Sequence, residues 1–217
     1  MKRILVSTLL VATLAGCAAS PDLPSNYALD PSQPEGLAVV SLTLSGMPMN
    51  QVASFEYRIR EIPPRDENTV ITKPHFSSAT QHARWVGKDS GSQLVHRNLT
   101  IKGPNSQEPL DIVLDGKPSG RLAALRLPEG EYEFHAWKLN ERTSYGELEY
   151  APKQGFSYRF SIKPGETTYL GRLNLYLGQR NAQQTAVEDR QTEDMNLLGN
   201  KYPALRTARV TTSVGKL

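Results

Sequence analysis

Few residues of this chain have the type and spacing for chemistry. His135 and Trp137 stand two apart in EYEFHAWKL, on one face of an alternating stretch. Together they could contact a ligand, or pack beneath a loop or a second layer. Trp85, in HARWVG, could stack on a sugar or fill a core. Glu188, Asp189, Glu193 and Asp194 form an acidic group. It could hold a divalent ion, or be a helix start favoured by the dipole with an Arg190–Asp194 pair at i, i+4. It lacks the spacing and glycine of an EF-hand. His75, His82, His96 and His135 have no H-E-x-x-H or H-x₃₋₅-H spacing, so no metal site is expected. Ser90 in GKDSG lacks the G-x-S-x-G frame of a nucleophile elbow and reads as a turn. There is no G-x-G-x-x-G, no P-loop and no thiol to spare. No cofactor is expected, and the reading is non-catalytic.

The one cysteine, Cys17, has a different setting. Lys2 and Arg3 begin the chain, Ile4 to Leu14 is largely apolar, and Ala15 and Gly16 precede the cysteine. That order is that of a secretory signal peptide. The apolar run is shorter than the roughly 20 residues a bilayer span needs. Leu14-Ala15-Gly16-Cys17 resembles the lipobox of bacterial lipoproteins. The resemblance implies cleavage between Gly16 and Cys17, a diacylglyceryl group on the sulfur and a fatty acid on the new amino terminus. Alanine at 18, where inner-membrane lipoproteins often carry aspartate, implies an outer-membrane address. A periplasm-facing domain is then the default and surface exposure the alternative. Several acyl chains on one residue anchor far more firmly than one, because each buried CH₂ adds about 0.8 kcal/mol. An ordinary signal peptide with an incidental cysteine is the plainer alternative.

Residues 17–217 carry 23 Lys and Arg against 22 Asp and Glu. This balance leaves no basic footprint for nucleic acid. With Cys17 lipidated no disulfide is possible, and a core must supply the stability. Gly and Pro total 31, spread along the chain, as short strands and many turns require.

Three regions position these residues: 1–16 as signal peptide, 17–35 as lipidated cysteine and flexible linker, and 36–217 as one domain. The linker is read from its prolines and its few bulky apolar residues. An arm packed on the domain, with Tyr27 and Leu29 as contacts, is the other reading. Beyond it, LAVVSLTLSG is strand-like, and ASFEYRIREI puts Phe55, Tyr57 and Ile59 on one side against Glu56, Arg58 and Arg60. Those arginines could meet acidic headgroups or polysaccharide, or form cross-strand pairs on a solvated face. Residues 65–119 read as irregular strands and long loops, with Val95, Leu99 and Ile101 supplying an apolar face.

Two later segments each read strand, turn, strand, and are expected to be hairpins. In RLAALRLPEGEYEFHAWKL, Tyr132, Phe134, Ala136 and Lys138 would share a face opposite Glu131, Glu133, His135 and Trp137. In GFSYRFSIKPGETTYLGRLNLYLG, Tyr169, Gly171, Leu173, Leu175 and Leu177 share a parity. A helix capped by Asp189 would follow, with Met195, Leu198 and Tyr202 as its stripe and Pro203 as its stop. RVTTSV would be a last strand. The fold class expected is mainly β: an antiparallel β-sandwich, Ig-like or prealbumin-like, with one short C-terminal helix.

LPEGEYEF and IKPGETTYLG are similar to the "Pro-Gly-x-Tyr" turns of small bacterial β-sandwich modules. Prealbumin-like domains of carboxypeptidase regulatory regions, and lipoprotein families of that build, look like this over residues 120–177. The resemblance implies a sandwich and carries over no catalytic residue. The function expected is an outer-membrane-anchored binding or structural module. Its partners would be the membrane, through the lipid, and an envelope protein or polysaccharide met by edge strands or loops. The alternatives are an accessory subunit of a secretion, assembly or transport machine, or a hydrolase with a scattered site.

Overall fold

The computed structural model describes residues 23–62, 84–86, 93–95, 98–178, 183–206 and 208–215. The described part is mainly β, with one α-helix. In chain order the strands are β1 (Glu35–Ser45), β2 (Val52–Ile62), β3 (Arg84–Val86), β4 (Gln93–Val95), β5 (Asn98–Lys102), β6 (Ile112–Leu114) and β7 (Lys117–Pro128). There follow β8 (Gly130–Thr143), β9 (Gly146–Tyr150), β10 (Tyr158–Ile162), β11 (Thr167–Leu177) and β12 (Gln183–Glu188). The helix α1 (Gln191–Lys201) and β13 (Val210–Thr212) close the chain.

The strands form two principal sheets. The first runs β10-β8-β2-β5, with β9 also on β8; the second runs β12-β11-β1-β7-β6, with β13 also on β11. The first is antiparallel throughout. The second is mixed, because β1 lies parallel to β11 and β13 does too, where an antiparallel arrangement was expected. Among the described residues, strands β3 and β4 pair only with each other.

The two segments expected as hairpins are not hairpins. Strand β7 belongs to the second sheet and β8 to the first; β10 belongs to the first and β11 to the second. Each Pro-Gly turn therefore carries the chain from one sheet to the other. Tyr132 pins the first of these corners by donating its hydroxyl to the Pro128 carbonyl at 3.0 Å. A turn sequence fixes a reversal of direction, and the apolar faces on either side decide whether the chain pairs with itself or crosses.

Both sheets feed one core. Ala38, Val40, Leu42, Leu44, Leu125 and Leu127 of the second sheet meet Phe55, Tyr57, Ile59, Tyr132, Phe134 and Phe160 of the first. The rings of Tyr132 and Phe160 stack at 5.6 Å, and Tyr57 meets Phe134 edge-on at 6.0 Å. The strand β1 is buried on both faces, as its near-continuous apolar run requires. Its other side, Leu37 and Val39, joins Leu122, Ala124 and Tyr169 beneath Leu198, Tyr202 and Leu205. Helix α1 covers that second cluster, so the expected stripe of Leu198 and Tyr202 is its buried face, with Met195 partly buried beside them.

Residues of the proline-rich segment pack on the same cluster. Leu23, Tyr27 and Leu29 are partly buried against it. Glu129 N–H donates to Pro34 O at 3.0 Å, and Gly165 N–H to Glu35 O at 2.9 Å. Gly165 has φ +66°, and a Cβ there would lie 2.9 Å from Pro31 Cα. From Leu23 onward the segment has the arrangement of an ordered arm. The helix also starts later than its sequence suggests: Ala186 to Glu188 lie in β12, and α1 begins at Gln191.

Candidate functional site

Two strands are long enough to pair with two successive neighbours on one side, and each carries a bulge at the changeover. On β8, β10 pairs with Gly130 to Phe134 and β9 with Leu139 to Thr143. Between them the register against β2 steps from Phe134 to Ala136 and leaves His135 without a partner. One extra residue reverses the faces of everything beyond it. Trp137 and Leu139 therefore turn into the core, at 3% and 0% exposure. The expected His135–Trp137 pair is not formed: Trp137 packs edge-on to Phe55 at 6.5 Å, while His135 is half-buried at the bulge. Burial, and then the charge of Arg60, lower the His135 pKa and favour neutral imidazole. Lys138, expected beside Phe134, instead reaches Glu149 at 2.7 Å.

Around that bulge the outer face of the first sheet is a charge ladder. The register sets Arg60 of β2 and Arg159 of β10 on either side of Glu133. Arg60 Nε donates to Glu133 Oε2 at 2.7 Å, Ser157 donates its hydroxyl to Oε1, and Arg159 Nε lies 3.7 Å away. Burial alone would raise the Glu133 pKa. The hydrogen bonds from Ser157 and Arg60, with the charges of Arg60 and Arg159, outweigh it and hold the carboxyl below its ordinary value. Arg58 pairs along its own strand with Glu56 at 3.1 Å. These arginines thus form in-sheet pairs, with their guanidinium faces still half open to solvent.

On β11, β13 pairs with Thr167 to Tyr169 and β12 with Arg172 to Leu177. Register against β1 jumps from Val39–Tyr169 to Ser41–Arg172, so β11 carries one extra residue there. Gly171 sits in the jump at φ +89°, and a Cβ on it would meet Val187 Cγ1 at 2.8 Å. Tyr169 and Gly171 were expected on the face of Leu173, Leu175 and Leu177. Instead Leu170, Leu173, Leu175 and Leu177 face the core, and Tyr169 turns outward to the cluster beneath α1.

There Tyr169 and Arg172 meet Asp194 of α1. Arg172 Nη2 lies 2.5 Å from Asp194 Oδ1, and the Tyr169 hydroxyl donates to Oδ2 at 2.8 Å while accepting from Arg190 N–H at 3.1 Å. Asp194 is wholly buried and Arg172 nearly so. Burial and the adjacent carboxylate both push the Tyr169 phenol pKa far up, keeping it a neutral donor. Burial opposes the charge on Arg172, but its bond to Asp194 outweighs that and holds it protonated.

The acidic group is therefore divided rather than gathered. Asp194 neutralises Arg172, not Arg190; Arg190 pairs with Glu188 at 3.2 Å and Glu193 at 3.6 Å. Asp189, expected as the helix cap, accepts from Gln191 N–H at 3.1 Å but lies one residue before the N-cap position, which Arg190 occupies. Residues Asp189 to Glu193 line a depression of about 360 Å³. No group of three or more His, Cys, Asp or Glu able to hold a metal occurs among the described residues.

The remaining candidates fall differently. Trp85 lies on β3 opposite Leu94, and its side chain is outside the described residues. Gly16, Cys17, His75, His82, Ser90 and His96 also lie outside them. Among the described residues no helix is long and apolar enough to cross a membrane. Sequence reading did not find the β8–β9 hairpin tip, where Tyr145 is fully exposed and Leu148 is 52% exposed. The turn TSYG between two alternating stretches was the available signal.

No family model and no curated protein matches the chain. Among solved structures it is similar to a leucine-rich repeat protein from Bacteroides thetaiotaomicron, at 13% identity and a TM-score of 0.32. The match covers 68% of this chain and 14% of that one.

Proposed function

We propose that this protein is a lipid-anchored, non-catalytic binding module of the outer membrane, held through Cys17. The frame is read as an Ig-like or prealbumin-like sandwich. Its support is the pair of Pro-Gly corners between the sheets and the Tyr132 hydroxyl on Pro128. The observation that carries the binding role is Tyr145, wholly exposed at the tip of a hairpin whose strands β8 and β9 are fully paired. An exposed aromatic on rigid strands offers contact area at little entropic cost. Its partner is an envelope protein or polysaccharide. Two buried carboxylates are engaged in ion pairs: Glu133 with two arginines and a serine, Asp194, one of the acidic group, with an arginine and a tyrosine.

The test combines location and capture. Wild type, Cys17→Ser and Tyr145→Ser/Leu148→Ser are expressed, membranes are fractionated, and intact cells are cross-linked. Wild type is expected in the outer-membrane fraction with a specific partner. Cys17→Ser should leave that fraction, and the hairpin variant should stay in it and lose the partner. If Cys17→Ser distributes like wild type, the anchor is wrong. If the hairpin variant keeps its partner, the contact surface lies elsewhere.

A further inference from the structure

We infer that the face formed by α1 and the N-terminal arm lies against the lipid surface, and that the charged outer face of the first sheet points away from it. This rests on the lipid anchor at Cys17. A free linker over residues 17–35 would give the domain about 60 Å of extended reach, at roughly 3.3–3.6 Å per residue. The structure removes most of that reach. The arm is held at its far end by two backbone hydrogen bonds, at Pro34 and Glu35, and by the close approach of Pro31 to Gly165. Leu23 and Tyr27 are packed further back, on the cluster that α1 covers. Only residues 18–22 separate Cys17 from Leu23. Fully extended, they span about 20 Å.

The thickness of the fold turns that short reach into an orientation. Helix, second sheet and first sheet are three layers, stacked at spacings of about 10 Å. An anchor within about 20 Å of Leu23 keeps the helix layer at the bilayer. It holds the outer face of the first sheet, with Arg58, Arg60 and Arg159, some two layers further out. The occupant of the arm-and-helix face is the membrane itself. The ladder around Glu133 is left open to the aqueous side.

Cys17 is the chain's one cysteine, so an introduced cysteine is the only free thiol once Cys17 carries lipid. Asn196→Cys labels the exposed side of α1, and Arg58→Cys labels the outer face of the first sheet. The lipidated full-length chains are reconstituted in phosphatidylethanolamine/phosphatidylglycerol vesicles containing a headgroup-attached acceptor dye. Energy transfer from position 196 is expected to exceed that from position 58 severalfold. Inserting a Gly/Ser segment of about 20 residues after Ser20 leaves the fold intact, restores a stalk, and should bring the two labels together. Equal transfer from the two labels in the uninserted, lipidated chain overturns the orientation alone. If the chain without added cysteine takes up the thiol dye at Cys17, the anchor is absent, and both the anchor and this orientation fall.

Discussion

The two outer faces use the same device to opposite ends. Each sheet has a long strand that exchanges one neighbour for another, and each exchange is marked by an extra residue. On β8 the extra residue sends Trp137 inward and leaves a ladder in which the arginines are open to water over a buried Glu133. On β11 it turns Tyr169 outward with Arg172, and α1 closes over them with Asp194. Similar ion pairs result, but the covering layer sets their energetics. Arg60 is half exposed against Glu133, whereas Arg172 and Asp194 are both hidden. A pair open to water gains little and stays responsive to its surroundings. A hidden pair is a fixed clamp, indifferent to solvent but intolerant of losing a member.

The sharpest way to break this comparison is to remove one charged partner from each face. Asp194→Ala strands a buried guanidinium and a buried phenol, and should cost about 3–5 kcal/mol. Arg60→Ala takes an exposed partner from Glu133, which keeps Ser157 and Arg159, and should cost about 0–1 kcal/mol. Chemical denaturation of both variants reads the difference directly. Equal costs would mean that α1 does not seal its face.

Gly171→Ala tests the second bulge itself. At φ +89° a side chain is strained, and its Cβ would press on Val187 and the Glu188 carbonyl. A loss of about 1–3 kcal/mol is expected from the backbone strain and the displacement of β12. The near-ultraviolet signal of the tyrosines should change with it, since Tyr169 and Leu170 exchange faces if the bulge is lost. An unchanged stability would show that the register jump does not depend on glycine.

That glycine is also where the sequence was legible and was read too simply. Alternation located β1, β2, β8, β10 and β11, and Pro203 marked the end of the helix. Counting by twos carries no marker for an inserted residue, so residues on the two sides of a bulge were assigned one face and came out on opposite ones. In TTYLGRLNL the isolated glycine was such a marker. In EFHAWKL nothing distinguished His135 from its neighbours, and the His–Trp pair was read from a parity the strand does not keep. Asp194 looked like one more acid in a first helical turn. Its role is set by Arg172, 22 residues earlier on another element, and a pairing of that kind has no local pattern. The Pro-Gly turns were visible, but whether they close a hairpin or a corner depends on which sheet holds the next apolar face.

The smallest effect expected is also the one most particular to the open face. Glu133 is held below the ordinary glutamate value of 4.5 by Ser157, Arg60 and Arg159, against the opposing pull of burial. A carboxyl with a depressed folded pKa adds stability that is complete above its unfolded pKa, and that stability is lost as pH falls through the folded value. Glu133→Gln should therefore be less stable than wild type at neutral pH by a margin that holds down to about pH 5 and narrows below it. Asp194→Asn offers the contrast, because it removes a charge from the hidden clamp and leaves the buried Arg172 only the exposed Glu193, 3.2 Å away, as a charged partner. Denaturation at a series of pH values reads the Glu133 margin, which should close in acid, and denaturation at neutral pH reads the larger cost of Asp194→Asn. If the Glu133 margin remains constant down to acid unfolding, the ladder is not an ionic device, and the exposed arginines of the first sheet owe their placement to packing alone.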